Sequence, residues 1–299
     1  MTEPGLGRLI WKLGAGALLF GALLTVAAVT GGSLLLPHQA DVVYFTNRDG
    51  NEEIYRLDVS SGLRRNLTRN PAWDASPARS PDGSQIIFTS LRDGNQELYA
   101  MDTNGGNLRR LTDDPARDSE GAWSPDGQTI AFASDRSGNW DIYLMNADGS
   151  KVRQITDHPA HDNDPVWSPD GSKIAFISYR IRNWAIYVMN PDGSGMRRLT
   201  DTRVRHIEPS WSQDGRHLLF TSDRWARNFD IFMLELPGGL ITQLTNQVSW
   251  DANPAWTADG QHILFESTRD GQWDLYMMNV QNGEVRRLTD DPARDGDPS

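Results

Sequence analysis

Three recurrences in one register predict an all-β chain: a six-bladed β-propeller of four-stranded antiparallel blades, preceded by one N-terminal transmembrane helix. A Leu-Thr or Ile-Thr step begins at Leu67, Leu111, Ile155, Leu199, Leu244 and Leu288, at spacings of 44, 44, 44, 45 and 44 residues. An aliphatic residue followed by Tyr or Phe keeps the same period, at Ile54-Tyr55, Leu98-Tyr99, Ile142-Tyr143, Ile186-Tyr187, Ile231-Phe232 and Leu275-Tyr276. Trp-Ser-x-Asp-Gly or a variant starts at Trp123, Trp167, Trp211 and Trp256. Six four-stranded units of this length are the signature of a propeller.

Within one period the strands follow in order. The first, Asp164-Pro165-Val166-Trp167-Ser168, ends at the turn Pro169-Asp170-Gly171. The second alternates apolar residues at period two through Ile174 and Phe176, as a half-buried strand does. A loop leads to the third, Ile186-Tyr187-Val188-Met189, and the turn Pro191-Asp192-Gly193; the fourth ends at Leu199. Asp-Gly marks tight turns because glycine accepts the positive φ they need. The period-two pattern and the turn density exclude helical repeats.

The segment before the repeats has a different character. From Leu13 to Pro37 there is no charged residue, and Arg8 and Lys12 precede the run. Some twenty apolar residues suit a helix crossing a bilayer core of about 30 Å. Residues 1–12 then form a short cytoplasmic N-terminus, 13–33 a signal anchor and 34–299 the propeller. Positive residues stay in the cytoplasm, which places the propeller outside it. The rival is a cleaved signal peptide with Val26-Ala27-Ala28 as its cleavage site and a secreted product. Ring closure has two candidates: Asp295-Gly296-Asp297-Pro298-Ser299, which is favoured, or Leu34-Leu35-Leu36-Pro37.

Composition removes several function classes. Twenty-nine basic against 40 acidic residues give a net charge of −11, which argues against nucleic-acid binding. The absence of cysteine excludes disulfides, thiolate metal sites and cysteine catalysis. There is no G-x-S-x-G elbow, no H-E-x-x-H helix and no phosphate-binding glycine loop. His158 and His161 lack an evident third zinc ligand. The reading is therefore of a protein that is not an enzyme.

The string S-P-D-G-x-x-I-A-F-x-S, followed by D-I-Y-x-M-N-x-D-G and R-x-L-T, resembles the propeller repeat of the TolB-like family across nearly all of residues 41–299. The resemblance implies a six-bladed propeller. It departs from TolB at the N-terminus, where TolB carries an α/β domain and this chain has the apolar run.

Repetition separates scaffold from site: a side chain present in every unit serves the blade. Arg48, Arg92, Arg136, Arg180, Arg224 and Arg269 share one position; Asp74, Asp118, Asp162, Asp251 and Asp295 share another, with His206 substituting once. The expected role of these residues is a ring of Arg–Asp pairs stapling neighbouring blades, with the repeated Trp as core. Two residues past each Asp position lie Ser76, Glu120, Asp164, Glu208, Asn253 and Asp297, facing the central channel. No resident cofactor is expected. Glu120, Asp164, Glu208 and Asp297 are the candidates for a metal, calcium being the cation that takes several oxygen ligands.

The irregular loops of blades 4 and 5 form the candidate binding site. Arg182, Trp184, Arg203, Arg205, His206, Trp225, Arg227 and Phe229, with Ile181, make a basic, aromatic patch on an acidic protein. Arg and Trp are enriched at binding hot spots. The expected partner is an envelope protein, a peptide or a glycan, bound by a monomer. The alternative is a channel-centred carbohydrate lyase or hydrolase using Glu120, Asp164, His206 and Glu208 with a metal.

Overall fold

A computed structural model describes residues 41–201, 203–224 and 228–299. The apolar run and its two interpretations lie outside these residues, as do Trp225 and Arg227. Among the described residues no helix is long and apolar enough to cross a membrane.

Blade 1 contains β1 (Asp41–Thr46), β2 (Glu53–Asp58) and β3 (Arg64–Asn66). Blade 2 is β4 (Asp74–Arg79), β5 (Gln85–Ser90), β6 (Glu97–Asp102) and β7 (Arg109–Arg110); blade 3 is β8 (Asp118–Trp123), β9 (Thr129–Ser134), β10 (Asp141–Asn146) and β11 (Arg153–Gln154). Blade 4 is β12 (Asp162–Trp167), β13 (Ile174–Ser178), β14 (Ala185–Met189) and β15 (Arg197–Arg198). Blade 5 is β16 (His206–Trp211), β17 (His217–Ser222), β18 (Asp230–Glu235) and β19 (Ile241–Gln243). Blade 6 is β20 (Asp251–Trp256), β21 (His262–Ser267), β22 (Asp274–Asn279) and β23 (Val285–Arg287). The last strand, β24 (Asp295–Gly296), is the inner strand of blade 1, giving the order β24-β1-β2-β3. Phe45 pairs with Gly296 and Thr46 with Asp295, and Ser299 exchanges two backbone hydrogen bonds with Val43. The ring thus closes with C-terminal residues, the favoured of the two expectations.

The repeated residues explain the blade. Tyr44, Phe88, Phe132, Phe176, Phe220 and Phe265 are fully buried at one position of each second strand. Each packs against the aromatic residue of the third strand, as Phe88 does on Tyr99 with centroids 5.8 Å apart. The Leu-Thr step serves the blade edge: the Thr112 hydroxyl accepts from the Leu98 N–H at 2.9 Å, and the other blades repeat this contact. In Trp-Ser-Pro-Asp-Gly, the Ser124 hydroxyl donates to Asp126 at 2.5 Å and accepts from the Thr129 N–H, which locks the turn. The repeated tryptophans lie between blades, Trp123 against the cluster of Ile87, Leu98 and Phe132, as expected for core residues. Apolar area lost from water between successive blades is the main force closing the ring.

Candidate functional site

In an antiparallel blade alternate connections emerge on the same side. The loops between second and third strands therefore share one face with the connections between blades, here the loop face. Every repeated arginine lies on it. Arg136 donates to both oxygens of buried Asp118, at 2.8 and 2.7 Å, and its guanidinium lies 5.5 Å from the Phe132 ring and 5.0 Å from Tyr143. Arg92 with Asp74, Arg180 with Asp162 and Arg269 with Asp251 repeat the arrangement. Both partners belong to the same blade, which corrects the expectation of staples between neighbours. In these four blades the arginine caps its own blade's aromatic stack and the aspartate at the head of the inner strand holds it there, whereas in blade 1 Arg48 pairs with Asp291 at 3.3 Å.

The channel is built by a backbone device. Each inner strand of blades 2 to 6 carries a β-bulge, for example between Ser119 and Ala122. At Ser76, Glu120, Asp164, Glu208, Asn253 and Asp297 φ lies between 49° and 57°. Bulges re-aim side chains, and a left-handed non-glycine residue costs about 1 kcal/mol or more. The carboxylates use this geometry to clasp the next blade. Glu120 Oε2 accepts from the Asp164 N–H at 2.8 Å, and Glu208 Oε2 accepts from the Asn253 N–H at 2.7 Å and from the Thr221 hydroxyl at 2.6 Å. Asp164 accepts from the Glu208 backbone, and Asp297 from that of Ser76.

Burial raises every one of these carboxyls. Glu208 is pushed up to about 7 and Asp297 to about 6, in each case first by loss of water. Glu120 moves up, and Asp164 well up, for the same reason, with mutual repulsion added for Asp164. Among the described residues no three His, Asp or Glu side chains converge closely enough to hold a metal ion. Glu120, Asp164, Glu208 and Asp297 line the channel as inter-blade clasps. His158 and His161 each accept a backbone N–H through Nδ1, from Ala160 and Trp140.

The residues expected to form the binding patch fall into three groups. Arg182, Arg203 and Arg205 are exposed on the loop face, Arg182 with φ 61°. Trp184 and Phe229 are half-buried: Trp184 packs on Tyr179 at 5.4 Å, with Ile181 partly buried nearby, and Phe229 lies under the Arg205 guanidinium at 4.5 Å. Arg205 is also paired with Asp223 at 2.8 Å. His206 is 0% exposed, edge-on to Phe220 at 5.3 Å, with burial lowering its pKa. It is an enclosed residue whose Nε2 lies 3.5 Å from Asp201, so it is not presented on the patch surface, which corrects its place there. With His206 in the aspartate position, Arg224 turns to Asp201, 2.8 Å away.

Two features were missed. The patch continues past Phe229 onto Trp250 (5.5 Å) and from there to Trp273 (6.5 Å), and Trp250 is 48% exposed. The position preceding each first-strand Asp is occupied by Trp73, Arg117, His161, Arg205, Trp250 and Arg294, so it breaks the repeat and was available as a signal. The second feature is Glu266. It stands where the other blades have Phe45, Thr89, Ala133, Ile177 and Thr221. On the opposite face, a cleft of roughly 750 Å³ between blades 2 and 3 is lined by Pro81, Trp123, Pro125 and Asp126. A like cleft lies between blades 3 and 4, so by the repeat test it belongs to the scaffold.

Comparison with known proteins agrees with this architecture. The family model described as the TolB beta propeller domain matches residues 157–229 and 225–299, and that of the Tricorn protease N-terminal beta propeller domain matches residues 38–139. No curated protein matches the chain. Among solved structures, TolB from Acinetobacter baumannii is 19% identical with a TM-score of 0.78, over 86% of this chain and 65% of that one. The chain thus spans less than two thirds of that protein. A putative TolB from Agrobacterium tumefaciens is 22% identical with a TM-score of 0.70, over 83% and 88%. Oligogalacturonate lyase from Vibrio parahaemolyticus is 14% identical with a TM-score of 0.58, over 82% and 73%. Repeat, strand order and family matches together identify the chain as a TolB-like six-bladed β-propeller.

Proposed function

We propose that this chain is a membrane-tethered propeller outside the cytoplasm that binds a protein partner at the cell envelope through its loop face, with no catalysis of its own. The observation that carries the reading is the continuous strip of Arg205, Phe229, Trp250 and Trp273 across blades 5 and 6. Such a strip offers flat apolar area with a cation at its end, the composition of interface hot spots. The tether rests on the uncharged run from Leu13 to Pro37 behind Arg8 and Lys12. Likeness to TolB structures supports the binding role by analogy of fold.

The test uses the full-length chain in detergent as bait for envelope extract, beside a Trp250→Ala/Arg182→Ala/Trp225→Ala version of unchanged melting temperature. A protein recovered by the parent and lost by the variant supports the reading. Equal recovery of the same background by both sinks it.

A second reading has one observation in its favour. Glu120 and Asp164 sit in contact in the channel with both carboxyls raised, as an acid–base pair acting on a carbohydrate would need. Release of unsaturated or reducing ends from an acidic polysaccharide by the parent, abolished by Glu120→Gln and Asp164→Asn, would favour it over binding.

A further inference from the structure

Blade 4 departs from the repeat in a way that strands an arginine. In the other blades the first residue of the third strand is a buried carboxylate, Glu53, Glu97, Asp141, Asp230 or Asp274, and the outer strand lays a polar side chain on it. In blade 2 Arg110 reaches Glu97 at 2.8 Å, Asp113 at 2.9 Å and Asp93 at 3.5 Å. In blade 6 Arg287 reaches Asp274 at 2.6 Å and Asp270 at 3.7 Å. Arg198 holds the same position in blade 4, but Ala185 stands where Glu97 does and Ile181 where Asp93 does. The third acid is engaged elsewhere: Asp201, in the place of Asp113, pairs with Arg224 at 2.8 Å, because His206 has taken the aspartate position that would hold that arginine. This one guanidinium has thus lost every counter-charge the repeat provides.

The donors that seat those carboxylates remain. Thr112 and Thr156 donate to Glu97 and Asp141 at 2.5 and 3.1 Å, and the hydroxyls of Tyr99 and Tyr276 donate to Asp93 and Asp270. Thr200 and Tyr187 hold the equivalent places in blade 4, with Ala185 and Ile181 where those acids would be. Ile181 and Met196 pack on the apolar cluster between blades 3 and 4, so the floor of the place is closed and Arg198 is exposed above it. Arg182, in the loop after β13, and Arg203, in the connection after β15, are exposed at the same loop-face end of the blade. Among the described residues no acidic side chain pairs with any of the three guanidiniums. An arginine needs no partner in water, but this deletion is confined to one blade of six and leaves a fork whose geometry matches a carboxylate. On a chain of net charge −11 it also reverses the local field, so anions are attracted here and repelled elsewhere.

We propose that the outer edge of blade 4 accepts an aspartate or glutamate side chain of the partner protein, which Arg198 seats before Thr200 and Tyr187 as blades 2 and 6 seat their own carboxylates, while Arg182 and Arg203 attract neighbouring acids of the same segment. A carboxylate is the occupant because that is what the five sister blades place against this strand. The proposal rests on the protein-binding reading above and names the chemistry of the partner at a second place, apart from the aromatic strip.

The test measures a fluorescein-labelled peptide of alternating glycine and glutamate, and its glutamine counterpart, by fluorescence anisotropy on the full-length chain at about 50 mM salt, where ion pairs are little screened. Two variants accompany the parent. Arg198→Gln installs the residue that blades 3 and 5 carry at this position as Gln154 and Gln243, and Ala185→Glu refills the place with the chain's own acid, as in blades 1 and 2. Melting temperatures check that both fold. The parent is expected to bind the glutamate peptide and not the glutamine one. Arg198→Gln should weaken binding about tenfold, as loss of a charged hydrogen-bonding pair implies. Ala185→Glu should weaken it as much with every arginine still present, which unspecific attraction to a basic surface would not produce. No binding by the parent, or a folded variant that binds as the parent does, overturns the inference. Tighter competition by inorganic phosphate or by a uronate oligosaccharide than by unlabelled peptide overturns the assignment to a protein carboxylate. In the extract capture described above, a partner recovered equally by the parent and Arg198→Gln removes this contact and leaves the binding reading standing, whereas the capture itself decides that reading.

Discussion

Glu208 gives the sharpest physical test of the channel. Its carboxyl is pushed from the ordinary value of 4.5 up to about 7 by burial. Between those values the folded chain holds a proton that the unfolded chain has released, so stability is full below about pH 4.5 and declines as pH rises through about 7. At about 1.4 kcal/mol per unit the whole shift corresponds to about 3 kcal/mol, and water in the channel trims this to about 2. Asp297, Asp295 and Asp230, each raised to about 6, act in the same direction. The turn aspartates whose carboxyls are lowered, such as Asp82 at about 2, change stability only at more acid pH. Urea unfolding followed by tryptophan fluorescence should therefore show the parent more stable at about pH 5.5 than at about pH 8, by about 2 kcal/mol or more. Glu208→Gln should remove its share of that slope, since the glutamine oxygen still accepts from the Asn253 N–H and the Thr221 hydroxyl. A parent whose stability is flat or rises over this range, or a variant that keeps the full slope, would refute the argument.

Three further outcomes follow from the same contacts. Arg136→Met leaves buried Asp118 without its partner and should cost about 3–5 kcal/mol by urea unfolding, whereas Arg205→Met, at an exposed pair, should cost about 1 kcal/mol or less. Equal costs would contradict the assignment of Arg136 to the scaffold. Gly296→Ala should lower stability by about 1–3 kcal/mol because its Cβ meets Phe45 and Glu266, and adding Glu266→Gln should not relieve the clash with Phe45. Trp250→Ala should leave the melting temperature nearly unchanged, since about half of the side chain already faces solvent; a large drop would make it core rather than contact surface.

What was legible in the sequence is what repeats. Blade number, strand type, the Asp-Gly turns and the aromatic, arginine and aspartate positions follow from local pattern, because each blade solves the same packing problem with the same residues. The pairing of Arg92 with Asp74 inside one blade was not legible, since equal spacing in every unit is compatible with partners in the same blade or the next. His206 reads as a surface cation in sequence beside Arg203 and Arg205, yet it takes the aspartate position and is enclosed against Phe220. Radial position, which loops alone do not reveal, decides that exposure. The terminus that completes blade 1 was likewise settled by strand pairing, between β24 and β1. Glu266 and Trp250 broke the repeat in plain view, but only the closed ring sets the first against Gly296 and Asp297 and the second between Phe229 and Trp273. The sequence by itself thus determined the scaffold, through contacts made within a repeat and its neighbour. Tertiary structure decided the site, because closing six blades around a channel brings together residues from units that are far apart in the chain.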